Sequence, residues 1–452
     1  MAKVLVIGGG GREHALGWKL AQSPHVSDVI YFPGNAGTSQ EEKSSNVSIS
    51  GYDNGFKIDK NNFWVIKDVI KSEGIDLTVV GPEQPLAEGL VDHLNSEGIS
   101  RVFGPTMAGS QLEADKFFSD GLMEKLEISH ANSIRCYSVR QARGALEVVS
   151  SKKGVVLKSR GLAGGKGVDV FGSKKAALNE LERNPSKYGS DILVSERLSG
   201  EEFSVFGLSD GERVLPIEMS FQDHKRALDC DRGRNTGGMG AYGPAPVANA
   251  GVVRYVAENI MTSVVQKMRT MKMNGKSMEY NGFLYAGMMK TEEGLKVIEF
   301  NCRMGDPECQ PAMMMLKSDL YEALSLTQED KLDQVKLEYN QGSACCIVMA
   351  SKGYPGNYKT GFPIIGISEA DAISSMGGDS WVKVFHSGTK RRDTSTLTNG
   401  GRVLGVTGYS SDGLELARRL AYEGVGEIHC LDKSDAFHVR NDIGNRGLGK
   451  SL

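Results

Sequence analysis

The stretch Lys296–Glu308, K-V-I-E-F-N-C-R-M-G-D-P-E, decides how the rest of the chain is read. Val297, Ile298 and Phe300 are apolar and the run is short, which predicts a buried strand end. Strand side chains repeat every second residue, so Glu299 and Asn301 share a face. Arg303 follows on the same parity, where it can face an anion. A carboxylate and an amide oxygen are hard ligands. They suit a cation such as Mg²⁺, which takes one or two carboxylates and completes its shell with nucleotide phosphates. Gly305, Asp306 and Pro307 predict a turn. A polar strand end beside an exposed turn has the same local pattern, so the remaining chain must decide. Neutralising Glu299 is expected to lower unliganded stability barely at all, and to raise it if Asp306 or Glu308 repels the empty carboxylate.

Outward from that stretch, 452 residues suffice for about three domains and an ample core. The hydrophobic and charged fractions, 40% and 24%, are those of a soluble globular protein. A net charge of -3 gives no electrostatic case for nucleic acid or an anionic membrane. Seven cysteines without a C-x-x-C pair argue against a disulfide framework and a zinc site, and Cys345 and Cys346 read as core thiols. No signal peptide precedes the first strand and no 18-residue apolar run is present, so a cytoplasmic protein is expected. The 56 glycines gather at strand–helix junctions, which points to loops that contact phosphate.

In chain order, strands are expected at Lys3–Ile7, Val26–Phe32, Ile75–Val80 and Arg101–Phe103, with helices between them, including one near Phe63–Ser72. Alternation of this kind makes a parallel sheet whose loops meet at its carboxyl edge, where ligands bind. A dinucleotide fingerprint fails there: Glu13 or His14 stands where the last glycine belongs, and no acid ends the second strand. A glycine turn at a helix start still makes an anion pocket, which suits a phosphorylated substrate. His14 reads as helix packing rather than a base. Gln111–Lys116 lies on a helix. Val155–Lys158 and Asp169–Phe171 flank a glycine hairpin that is not a Walker loop, since Arg160 and Gly167 break that pattern. Such a hairpin can fold over phosphates with Lys158 on rigid strand. Ile192–Val194 is a strand whose following turn is a candidate hinge beside an adenine. Gly251–Lys272 reads as one amphipathic helix and Gly282–Met289 as the strand feeding the metal candidate. Past Gln334, strands at Ala344–Ala350, Trp381–Phe385 and Arg402–Tyr409 and a helix at Asp412–Glu423 read as a packing domain closing one side of the site.

Taken together the motifs resemble the ATP-grasp ligases, and within them the glycinamide ribonucleotide synthetase (phosphoribosylamine–glycine ligase) family. The resemblance runs in order through G-G-R-E-H-A-L, P-G-N-A-G-T, G-P-E-x-P-L, F-G-P-T, G-L-A-x-G-K-G-V, Q-D-H-K-R, N-T-G-G-M-G-A-Y and I-E-F-N-C-R-x-G-D-P-E. It implies an α/β fold with a parallel-sheet pre-ATP-grasp domain at about 1–103. An ATP-grasp core would span 104–333 with a small lid at about 123–194, followed by a mixed α/β C-terminal domain at 334–452. It implies ATP with Mg²⁺ or Mn²⁺, glycine and 5-phosphoribosylamine as substrates, a place in de novo purine synthesis, and a monomer or at most a weak dimer.

Carried over by position, Glu299 and Asn301 would bind the metal. Lys116, Lys158, Gly161, Leu162, Gly164, Gly165, Lys166, Gly167, Glu196 and Glu202 would contact ATP. Gly10, Gly11, Arg12, Glu13, Asn35, Gly37, Thr38, Glu83, Asn235, Gly238, Asp306, Pro307 and Glu308 would hold the other substrates. Asp223, Lys225 and Arg303 would serve the chemistry. The chain departs from the family at Ser195, where glutamate is usual, at Gly164, where alanine is usual, and at Arg234, where proline is usual. The Gly164 change is expected only to loosen the lid, and Arg232 and Arg234 are expected to be solvated. Two rival classes fit parts of the chain: a nicotinamide-dependent oxidoreductase and a non-catalytic nucleotide-binding module. A related purine-pathway ATP-grasp enzyme is the nearest alternative within the ligase class.

Overall fold

A computed structural model describes residues 1–47, 58–149, 153–164, 167–375, 378–431, 433 and 435–450. Its first layer is an all-parallel sheet in the order Ser44–Asn46, Val26–Pro33, Ala2–Gly8, Leu77–Val80, Val102–Phe103. Strand order reverses on either side of Ala2–Gly8. The loops after Gly8 and Val80 therefore leave in opposite directions and open a crevice at the carboxyl edge. Val4, Leu5, Val6 and Ile7 are wholly buried, as expected for a parallel strand covered on both faces.

A second, antiparallel sheet runs Val214–Pro216, Gly200–Asp210, Asn281–Thr291, Gly294–Asn301. Glu299 lies opposite Gly287 and Asn301 opposite Tyr285, with a register shift just beyond Gly287. A small sheet, Ser133–Cys136, Ile192–Glu196, Val155–Ser159, Val168–Phe171, packs with helices Val139–Val148 and Lys174–Arg183 around its own core, which includes Leu146, Leu157 and Val194. The glycine hairpin is real: Val155 pairs with Phe171 and Lys158 with Val168.

The C-terminal sheet reaches further than its sequence suggests. Ser343–Ser351, Arg402–Ser410 and Ser380–His386 continue through Gly240–Gly243 to Gln222–Asp223. The Q-D-H motif thus supplies the edge strand of that sheet and the M-G-A-Y motif the strand next to it.

Two helices differ from expectation. Gln111–Lys116 breaks at Asp115, whose carboxylate accepts the Phe117 and Phe118 N–H groups and starts a new helix, Lys116–Lys125. The helix expected over Gly251–Lys272 runs from Ala250 to Arg269, with a π-helical turn at Val256–Met261, and Lys272 belongs to a short strand. Among the described residues, no helix is long and apolar enough to cross a membrane. None of the seven cysteines is joined in a disulfide, and only Cys230 is exposed.

Candidate active site

Four segments converge on the end of strand Gly294–Asn301. Glu299 is half-buried, and burial alone would raise its carboxyl. Lys225, Lys158 and Lys116 together hold it below its ordinary value instead. Lys158 Nζ donates to the Ile298 carbonyl at 3.2 Å, and Lys116 Nζ to the Gly161 carbonyl at 3.0 Å. Burial lowers the pKa of both lysines. Lys225 lies 3.2 Å from Glu202, which pushes its ammonium well above the ordinary lysine range. The company around Glu299 is therefore mainly cationic, and these cations outweigh any crowding by Asp306 and Glu308.

Glycine hairpin residues Gly161 and Gly164 have open space around them, and Leu162 is exposed. Gly164 has φ +54°, a left-handed conformation that glycine adopts without strain, so here glycine suits the backbone rather than merely loosening it. Gly167 closes the hairpin, its carbonyl accepting from Ser159 N–H at 2.8 Å. Gly165 and Lys166 lie outside the described residues. Arg160, at the hairpin base, grips both Asp115 oxygens and Asp191. Ser195 is buried between Ser133 and Val156 in the small sheet. Its neighbour Glu196 accepts from Asn132 N–H and Nδ2 at 2.9 and 3.0 Å.

On the far side, Asp223 and Glu308 are enclosed together. Burial and then Glu308 raise the Asp223 carboxyl well above its ordinary value, and Asp223 Oδ1 is buried without a hydrogen-bond partner. Ser204 donates to Glu308 at 3.0 Å. A side chain at Gly238 would meet Pro307 and Asp223, so glycine here keeps that corner open. Asn235 Nδ2 ties this loop to the hairpin through the Val168 carbonyl at 3.2 Å. Arg232 and Arg234 are exposed on their strand, as expected.

The N-terminal loops are more committed to one another than their sequence implies. Gly10 N–H donates to Glu13 at 2.7 Å, and Glu13 accepts from Arg12 Nε at 2.6 Å. Glu13 is thus folded into the glycine turn rather than presented to solvent. Gly11 sits beside Gln310 and Ser387. Asn35 accepts from the Gly37 and Thr38 N–H groups and donates to the Gly9 and His386 carbonyls. His14 is wholly buried. Its Nδ1 accepts from His386 N–H at 2.8 Å, so Nε2 carries the proton it shares with Glu41 at 2.9 Å. The packing role expected for His14 fits this geometry.

Arg303, expected to face an anion, is held by Glu83 at 3.3 Å, Glu113 at 3.1 Å and the Met304 carbonyl. Arg12 reaches Glu83 as well, at 3.8 Å. Burial would raise the Glu83 carboxyl, but Arg303 and Arg12 hold it at about 2. Its folded pKa is depressed, so its stabilisation is complete above the unfolded value near 4.5 and fades as pH falls toward about 2. Glu83→Gln is expected to be less stable than wild type at pH 7 and to lose less on acidification between pH 5 and 2.5. Thermal melts across that range check this, and parallel curves would contradict it.

Sequence reasoning missed Glu113, the Asp115–Arg160–Asp191 clasp and Arg402. Arg402 donates to the Gly237 and Asp306 carbonyls, both at 2.6 Å, and to Asp306 Oδ2 at 3.1 Å. The C-terminal part is therefore wired to the site, and the G-G-R-V run was the available signal.

A lysine-ringed carboxylate strand under a glycine hairpin, set beside a parallel-sheet domain, defines an ATP-grasp protein. Family models match most of the chain in three parts: phosphoribosylglycinamide synthetase N domain over residues 2–113, its ATP-grasp (A) domain over 114–309 and its C domain over 344–446. The chain belongs to the phosphoribosylglycinamide synthetase family. It is 43% identical to a phosphoribosylamine–glycine ligase of Escherichia coli over 453 residues, 99% of each chain. It is 41% identical to the trifunctional purine biosynthetic protein adenosine-3 of Gallus gallus, matching 99% of this chain but 42% of that one. A phosphoribosylamine–glycine ligase structure from Thermotoga maritima superposes with a TM-score of 0.77 at 27% identity, covering 98% of this chain and all of the other.

Proposed function

We propose that the chain joins glycine to 5-phosphoribosylamine at the expense of ATP, giving glycinamide ribonucleotide, ADP and phosphate in purine biosynthesis. The observation that carries this reading is Glu299 held ionised among Lys116, Lys158 and Lys225 beneath the glycine hairpin. Three cations and one carboxylate suit a polyphosphate bridged by a divalent cation. The donor set fits Mg²⁺ or Mn²⁺: Glu299 and Asn301 supply hard oxygen ligands on one strand face, and nucleotide oxygens would complete the shell. When bound, the cation would neutralise charge on the transferring phosphoryl group.

Glycine's carboxylate is a poor electrophile, so an oxygen of it takes the γ-phosphoryl group, forming glycyl phosphate and releasing ADP. The amine of phosphoribosylamine then attacks the carbonyl, loses a proton, and expels phosphate. Lys116, Lys158 and Lys225 orient and neutralise the phosphates. Asp223, whose Oδ1 is buried without a hydrogen-bond partner beside Glu308, suits the glycine ammonium, and Gly238 and Pro307 border that corner. Glu202 orients Lys225. Glu196, beside Ser195, would lie by the adenine. Hairpin residues Gly161–Gly167 would exclude water from an acyl phosphate that water destroys. The separate core of the small sheet supports a lid over about 123–194 that moves as a unit. Gly10–Glu13, Asn35–Thr38, Glu83 and Asp306 would border phosphoribosylamine, with Arg303 acting through its grip on Glu83.

Phosphate release with ATP, Mg²⁺ and freshly generated phosphoribosylamine tests the reading. Full turnover is expected only when glycine is added. Equal release from ATP alone would overturn it.

A further inference from the structure

We infer that Glu113 is a positioning residue that fixes the Asn301 amide so that its oxygen, not its N–H, faces the cation. The inference rests on the metal reading of Glu299 and Asn301. Glu113 belongs to helix Gln111–Ala114 and is 9% exposed. Four donors converge on its carboxylate. Oε2 accepts from Cys302 N–H at 2.7 Å and Cys302 Sγ at 3.1 Å, and Oε1 accepts from Arg303 at 3.1 Å. The fourth is the Asn301 side chain, whose orientation its neighbours dictate: its N–H group donates to Glu113 Oε1 at 3.2 Å and to the Phe300 carbonyl at 2.9 Å.

An amide carries its donors and its acceptor at opposite corners of one plane. Holding the N–H side against Glu113 turns the oxygen away from it, on the strand side Asn301 shares with Glu299. That distinction matters because a hard cation binds the oxygen and is repelled by the N–H group. With a backbone N–H, a thiol, a guanidinium and an amide directed at its two oxygens, the Glu113 carboxylate serves as acceptor to all of them and selects one orientation; a glutamine in its place presents one acceptor and one donor and selects neither. Partners of this kind, behind a metal ligand, typically change metal affinity by about tenfold to a hundredfold when altered. Arg303 holds Glu113 in turn, which links the metal strand to Glu83 and Arg12 on the N-terminal loops.

Mn²⁺ binding to the full chain with ADP, followed by the electron paramagnetic resonance of free Mn²⁺, tests this, with thermal melts to verify folding. Glu113→Gln is expected to weaken Mn²⁺ binding by about tenfold or more. The double change Glu113→Gln with Asn301→Asp moves the carboxylate one step along. In that variant the carboxylate introduced on the strand accepts from the amide introduced on the helix with one oxygen. It offers the other oxygen to the metal, so affinity should return to within about threefold of wild type. A role in folding alone would not be rescued this way. Mn²⁺ binding unchanged in Glu113→Gln, or a folded double variant that fails to recover, overturns the proposal. Glu299→Gln is the separate control: if it too leaves Mn²⁺ binding intact, the metal reading of the strand falls along with the proposal. If it alone weakens binding, only the role of Glu113 falls.

Discussion

Glu299→Gln is expected to reduce the rate of ATP-dependent ligation by at least about a hundredfold. The replacement keeps size and removes one charge from the point where three lysines gather and where the proposed divalent cation would bind. A lost contact of that kind costs several kcal/mol of transition-state stabilisation, and about 1.4 kcal/mol is a factor of ten. The lysines around Glu299 also set the sign of the stability change. Removing the carboxylate leaves cations facing one another, so the unliganded variant should melt lower than wild type, by about 1–3 kcal/mol of stability. This reverses the expectation drawn from Asp306 and Glu308 in the sequence. Initial rates across a Mg²⁺ titration, taken well below both melting temperatures, separate the two effects. An unchanged rate and Mg²⁺ response would remove Glu299 from the site.

Lys158→Ala is expected to lower kcat/KM for ATP by about tenfold to a hundredfold while changing stability little. Burial already disfavours the Lys158 ammonium, and its hydrogen bond in this structure is one contact to the Ile298 carbonyl. A charge-assisted contact to phosphate is worth about 1.5–3 kcal/mol, which sets that range. An ATP titration beside a thermal melt checks it. Wild-type kinetics with ATP would make Lys158 a packing residue and leave the hairpin without a phosphate to cover.

Much of the architecture is legible because parallel strands bury both faces and read as apolar runs. Val4–Ile7 and Leu77–Val80 are of this kind, and the glycine hairpin is bounded by two more strands. Where the local pattern misleads, a side chain overrides it. Asp115 looks like one more polar residue on a helix, yet its carboxylate caps the next helix and clasps Arg160, so the element breaks there. The overlong helix had a visible stop: Asn274–Gly275 is a hairpin turn, and Lys272 pairs with Ser277 across it.

The site divides the same way. Glu299 and Asn301 follow from strand period alone, since alternate positions on one strand cannot escape their face. Glu113, Arg402 and His386 come from segments distant in the chain, and beyond the G-G-R-V run at Arg402 nothing local to them points to the site. Glu113 stands in a motif that draws attention only to Lys116. Arg402 crosses from the C-terminal sheet because that sheet recruits Gln222–Asp223 as an edge, a pairing that two residues of sequence do not announce. Arg303 shows the converse: its place near the site follows from the strand, but its partners are two carboxylates rather than free space for an anion.

Oxygen tracing tests the central claim most directly. With glycine labelled by ¹⁸O in both carboxylate oxygens, turnover through glycyl phosphate transfers one labelled oxygen to each phosphate released and leaves the other in the amide product. Mass spectrometry of the phosphate is predicted to show one ¹⁸O per molecule, formed only when phosphoribosylamine and ATP are both present. Phosphate free of label, released at the same rate without glycine, would show that ATP is hydrolysed by water and would contradict the account.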